Sequence, residues 1–210
     1  VEEFSRAVQV GMDLVMESKE QGYTMLLVGE MGIGNTTSAA VVAGYLLDLN
    51  AEAVTGHGAG LDEEGFSKKR AVVSMALSMY SGLSPVEICS NFGGLELAAM
   101  TGIILGGALY KIPIVLDGML SQVSALVADR LLDNTKEYLI PSHLSKEPVS
   151  EKLAKKLDLE PVIDAKMAVG EGAGAVMLVP ALRMADLVFH DALKFGDSGV
   201  EQYKNYSEEL

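Results

Sequence analysis

Residues Thr24-Met25-Leu26-Leu27-Val28 form an apolar run of strand length. It leads into the glycine-rich segment Gly29-Glu30-Met31-Gly32-Ile33-Gly34-Asn35-Thr36-Thr37, and then into the small apolar run Ser38-Ala39-Ala40-Val41-Val42-Ala43. A strand, a glycine-rich turn and a buried helix in that order let backbone N–H groups converge on an anion at the helix N-terminus. Gly32 and Gly34 permit close backbone approach and positive φ, and Asn35 or Thr36 is placed to cap the helix. The spacing is close to G-x-x-x-x-G-K-[ST], but Asn35 stands at the lysine position, so the contact to β- and γ-phosphates is missing. The third glycine of the dinucleotide fingerprint is also missing. The loop reads as a cradle for a single phosphate. An ordinary βα turn with structural glycines is the plainer alternative.

The rest of the chain repeats the theme. Residues 4–18 have helical periodicity, with Phe4, Val8, Met12, Leu14 and Val15 toward one side, and Lys19–Gly22 is a turn. Ala53-Val54-Thr55 reads as a short strand entering Gly56-His57-Gly58-Ala59-Gly60. Asp62 is placed to cap a helix from about Glu63 to Met79. A strand is expected around Val86–Ser90, a helix from Gly93-Gly94 through Leu109, and the clearest strand at Ile112–Leu116. A helix from about Ser121 to Leu132 and a strand at Glu137–Ile140 follow. Strand, loop and helix recur about five times at crossover spacing. That implies an α/β fold: a three-layer, Rossmann-like parallel sheet with helices on both faces. Ser145–Leu157, with alternating charges, reads as a solvated helix. The turn Gly170–Gly174 feeds an apolar helix, Val176–Ala192, and Tyr203–Leu210 reads as a frayed end.

Residues 1–210 suit a single sizeable domain. The net charge of −13 argues against nucleic acid and anionic membranes as partners. It also requires any bound phosphate to be neutralised locally, by helix N-terminal amides and one or two placed lysines. No apolar run reaches membrane-span length without interruption, Met100–Tyr110 being the greasiest. The single Cys89 excludes an internal disulfide framework and points to a reducing cytoplasm. No His, Cys and carboxylate cluster has metal-ligand spacing.

In an open parallel sheet, ligands bind at the carboxyl ends of the strands. Those ends collect Gly29–Thr36, Gly56–Asp62, Gly93-Gly94, Asp117-Gly118 and Ser142-His143, which together suit a phosphorylated small molecule. Asp117 ends a buried strand, where it either accepts from a ribose hydroxyl or caps the following turn. Ser142 is placed to donate to phosphate, and His143 reads as a hydrogen-bonded structural residue. Lys68 reads as a surface charge. Glu171 lies between Gly170 and Gly172, beside the apolar Met167-Ala168-Val169. Burial there would raise its pKa and make it a better base, whereas a position at a helix N-terminus would lower it.

The block Gly29–Thr37 resembles the signature of the nicotinate-nucleotide:dimethylbenzimidazole phosphoribosyltransferases of cobamide synthesis. So do Thr55–Asp62, Gly93–Gly102 and Gly170–Ala175, in the family's order. The resemblance covers nearly the whole chain but only the later part of the family enzyme, so the chain is expected to lack an upstream segment that shapes the aromatic base pocket. Helices from about residue 175 would then pack into a smaller domain. The implied reaction moves phosphoribosyl from nicotinate mononucleotide to 5,6-dimethylbenzimidazole, without metal or cofactor, in a cytoplasmic homodimer. It implies donor contacts from Glu30, Gly32, Ile33, Gly34, Asn35, Thr36, Gly58, Lys69, Asp117 and Ser142, with Lys69 on the phosphate. It gives Glu171 the role of general base. His57 stands where the family often carries arginine. Two alternatives remain: a non-catalytic module that holds a phosphorylated ligand, and the same transfer to a phenol or purine.

Overall fold

Three short parallel strands carry the site, and helices do most of the packing around them. In the computed structural model, which describes residues 1–199, α1 (Glu2–Glu20) leads to β1 (Leu26–Leu27) and α2 (Asn35–Leu47). Then come α3 (Ala51–Val54), α4 (Glu63–Leu77), α5 (Pro85–Phe92), α6 (Leu95–Tyr110), β2 (Ile114–Leu116) and α7 (Met119–Leu131). A 3₁₀ turn at Thr135–Tyr138 precedes β3 (Leu139–Pro141), followed by α8 (Ser150–Leu157) and α9 (Ala173–Asp191). The expected frayed end, Tyr203–Leu210, lies outside the described residues.

The sheet order is β1-β2-β3, all parallel, with Leu26 opposite Ile114 and Val115 opposite Ile140. Ile114, Val115 and Leu116 are all fully buried. Successive strand residues point to opposite faces, so both faces of the central strand are covered, as in a three-layer α/β fold. Helix α1 lies against α6 through small residues. A Cβ on Gly11 would collide with the Ala99 carbonyl, and one on Gly102 with the carbonyl of Val8. Two compact units result, Val1–Leu178 and one beginning at Val179.

Several expected strands are replaced by helices. Val86–Ser90 lies within α5, whose start is a capping box. Ser84 Oγ accepts from the Glu87 N–H at 3.3 Å, the Glu87 carboxylate accepts from the Ser84 N–H at 2.8 Å, and Pro85 opens the helix. Ala53 and Val54 belong to the short α3, started by Asn50, whose side chain accepts from the Ala53 N–H at 3.0 Å. Of Glu137–Ile140, only Leu139 and Ile140 are strand. Three strands, not about five, are present among the described residues. Helix α8 begins only at Ser150 and is not solvated throughout, since Ser150, Leu153, Ala154 and Leu157 are buried. The most extended apolar helix is α9 rather than α6. By length and composition alone it is long and apolar enough to cross a membrane, although Arg183 and Asp186 interrupt it.

Candidate active site

The carboxyl ends of β1 and β2, with His143 just beyond β3, open into a cavity of about 730 Å³. Its lining includes the loop Gly29–Thr36, Thr55–Ala59, Asp117–Ser121, Ser145–Pro148 and Ala168–Glu171. Four of the five strand-end or loop groups expected to meet do meet here. Gly93-Gly94 instead joins α5 to α6 and lies outside the lining.

The phosphate loop ends in Gly34, which caps α2 at a φ of +88°, so neither Asn35 nor Thr36 serves as the cap. The Asn35 N–H is held by the Gly32 carbonyl at 3.2 Å and that of Thr37 by Gly34 at 3.0 Å. The amides of Ile33, Gly34 and Thr36 carry no partner among the described residues and remain available at the positive end of α2. The Ile33 side chain is wholly exposed, so the backbone of that residue is what the site offers. Asn35 Nδ2 donates instead to Glu30. Burial pushes the Glu30 carboxyl up. The Asn35 bond opposes that rise, and the carboxylates of Glu96, Asp117 and Glu171 add to it.

Lys69 lies beneath this loop, buried and outside the cavity lining, so it does not itself reach into the cavity as expected. Its Nζ donates to Thr36 Oγ1 at 2.9 Å and to the Gly56 carbonyl at 2.8 Å. Burial lowers its pKa, with Glu147 acting against the shift. Lys68, by contrast, is exposed and paired with Glu64. Gly58, at a φ of +59°, brings its own loop close: a Cβ there would stand 2.9 Å from Thr36 Oγ1 and 3.4 Å from Lys69 Nζ. Three segments distant in sequence thus converge on one lysine.

Asp117 does not cap the turn that follows it. Its carboxylate accepts from the amides of Gly172 at 3.0 Å, Gly174 at 2.9 Å and Ala175 at 3.3 Å, and so caps α9 from across the site. Ser142 is fully buried and outside the cavity lining, its hydroxyl against the Asp117 carbonyl at 3.3 Å and His143 Nδ1 at 3.1 Å. It is therefore not exposed to a phosphate in the cavity. Glu171 lines the cavity with an exposed side chain. Its φ of +65° is in the left-handed region, and its N–H donates to the Glu30 carbonyl at 3.1 Å.

A family model described as Phosphoribosyltransferase matches residues 1–200. The chain belongs to this phosphoribosyltransferase family. The nicotinate-nucleotide–dimethylbenzimidazole phosphoribosyltransferase of Thermus thermophilus is 41% identical over 202 residues, 96% of this chain and 60% of that protein. The protein of the same name from Ruminiclostridium cellulolyticum is 34% identical over 201 residues, 95% of this chain and 57% of its own. The crystal structure of CobT from Thermus thermophilus matches with a TM-score of 0.90 at 39% identity, covering 96% of this chain and 61% of that one. The chain thus spans about three fifths of the length of these phosphoribosyltransferases.

Sequence reasoning missed Glu147 in this cavity. Read as part of a solvated charged stretch, it lines the cavity and accepts from the Gly58 N–H at 2.9 Å. The following Pro148, which ends any helix pattern at that point, was the available signal. His57 and Phe66, stacked 4.0 Å apart, also line the cavity and were not paired in the sequence reading.

Proposed function

We propose that this chain carries the donor site and the base of a phosphoribosyl transfer from nicotinate mononucleotide to 5,6-dimethylbenzimidazole. The observation that carries the reading is the backbone bond from the Glu171 N–H to the Glu30 carbonyl at 3.1 Å. It ties a carboxylate-bearing loop to the phosphate loop on one cavity. The 5′-phosphate would lie on the free amides of Ile33, Gly34 and Thr36, with Lys69 supplying the local positive charge below them. Glu30, Glu52, Asp117, Glu147 and Glu171 give the lining an acidic character that suits a pyridinium and the positive charge developing at the anomeric carbon.

A ring nitrogen of the benzimidazole attacks the anomeric carbon. The bond to the nicotinate nitrogen breaks, and its electron pair leaves with nicotinate, neutralising the pyridinium. The proton on the acceptor's other ring nitrogen passes to Glu171, leaving the product ring neutral. The donor is already a cationic leaving group, so the proposed chemistry is complete without a metal or cofactor. A homodimer in the cytoplasm, free of nucleic acid and membrane, completes the proposal. The buried Cys89 thiol, pushed up to about 12 by burial, supports a structural rather than reactive cysteine there.

A second reading follows from Glu30. It lines the same cavity, and burial and neighbouring carboxylates raise its pKa, which suits a proton acceptor. Glu171→Gln in the whole protein tests the two readings, with nicotinate release followed in the presence of 5,6-dimethylbenzimidazole. With Glu171 as base, turnover falls by about 10²–10⁴-fold while donor affinity is kept. With Glu30 as base, Glu30→Gln causes that loss and Glu171→Gln does not. Donor binding without nicotinate release, with any benzimidazole, phenol or purine, would mean a binding module.

A further inference from the structure

Glu171 sits in an unfavourable backbone conformation and is exposed, so something else must fix the direction of its side chain. Both Glu171 and Gly172 have positive φ, +65° and +78°. For a non-glycine residue this conformation is unfavourable, and it persists where the surroundings over-determine it. On the upstream side, the Glu171 N–H is held by the Glu30 carbonyl. On the downstream side, three bonds from Gly172, Gly174 and Ala175 end on one carboxylate.

We propose that Asp117 is the positioning residue of this site, gripping the Gly170–Gly174 loop so that the Glu171 carboxylate is held toward the acceptor. The inference rests on Glu171 being the base. Asp117 directly follows β2, the central and most buried strand, so it is an anchor that moves little. It is 5% exposed, and three of its roughly four lone-pair directions are taken by amides. The Oδ1 edge faces His143 Nδ1 at 3.8 Å, and His143 in turn leans on the Ser142 hydroxyl. A Cβ on Gly174 would strike the His143 ring and approach Asp117 Oδ1 to 2.9 Å, so the loop is gripped from two sides. The geometry leaves Asp117 acting through the loop rather than on the ribose.

Asp117→Asn in the whole protein separates these roles. It keeps shape and one acceptor oxygen but turns an NH₂ toward an amide that needs an acceptor. The expected result is a fall in kcat of about 10–100-fold, with the donor KM kept within about threefold. In a Glu171→Gln background the same change should cost nothing further, because its effect runs through Glu171. Hydrogen exchange at Gly172, Gly174 and Ala175 should accelerate, while the Val28 amide bonded to Val115 stays protected. A raised donor KM with kcat kept, a full additional loss in the Glu171→Gln background, or unchanged exchange would each overturn the proposal. If Asp117→Asn does not fold, Gly174→Ala perturbs the same grip from the His143 side and must show the same kcat loss at unchanged KM. Unchanged turnover in Glu171→Gln alone would remove the base assignment. Exchange in Asp117→Asn would then still decide the grip, upheld if faster and overturned if equal.

Discussion

Replacing Lys69 by alanine tests how the donor site is built, because the residue has a structural and an electrostatic part in it. Two charge-assisted hydrogen bonds, to Thr36 Oγ1 and the Gly56 carbonyl, disappear. Each contributes about 1.5–3 kcal/mol. Burial of the ammonium, which lowers its pKa, offsets part of that gain. The net loss is then roughly 2–4 kcal/mol, since removing one partner also leaves a buried carbonyl unpaired. For a unit of this size the melting temperature should fall by roughly 4–16 °C. Lys68→Ala removes an exposed pair to Glu64 and should cost about 0.3–0.5 kcal/mol. Under the proposed function, loss of the positive charge beneath the loop should weaken nicotinate mononucleotide by roughly tenfold to a hundredfold in Lys69→Ala alone. Urea unfolding and calorimetric donor titration of both variants provide the comparison. Equal small losses in stability and affinity would refute the placement of Lys69 beneath a phosphate.

Gly34→Val puts a β-branched side chain at a φ of +88° and should abolish sulfate or donor binding, with α2 helicity kept by circular dichroism. Glu30→Gln addresses pH. The folded chain holds the Glu30 proton more tightly than the unfolded chain, so stability falls as pH rises from 4.5 through the folded value. The variant should lack that fall, gaining on the wild type in thermal melts as the pH rises above 4.5. Gly102→Ala drives a Cβ onto the Val8 carbonyl and should destabilise the α1–α6 pair by about 1–3 kcal/mol in denaturant unfolding.

The strand, glycine-rich turn and helix of β1 and α2 were legible because their information is local: two glycines, a strand before and a helix after, all within about twenty residues. Asp62 as the cap of α4 was legible for the same reason, and its carboxylate accepts from the Gly65 N–H at 2.8 Å. Val86–Ser90 was misread because Val86 and Ile88 look strand-like, yet Ser84, Pro85 and Glu87 spell a helix start that outweighs them. The partners of Asp117 lie 55 to 58 residues away, and no periodicity connects a strand end to a later glycine turn. Glu147, 89 residues from Gly58, was hidden in the same way. Local chemistry showed where a glycine-rich turn opens a helix, while the pairing of loops depended on the tertiary fold.

Gly29 lies against the backbone of Gly172, with no room for even a methyl group between them. The first residue of the donor loop and the neighbour of Glu171 are therefore in main-chain contact, and whatever shifts one shifts the other. Under the proposed reaction, this partitions what can drift over generations. Donor recognition and proton removal are inherited as one unit, with little tolerance for independent change. A substitution that moves either loop is therefore felt at both ends of the proposed transfer at once.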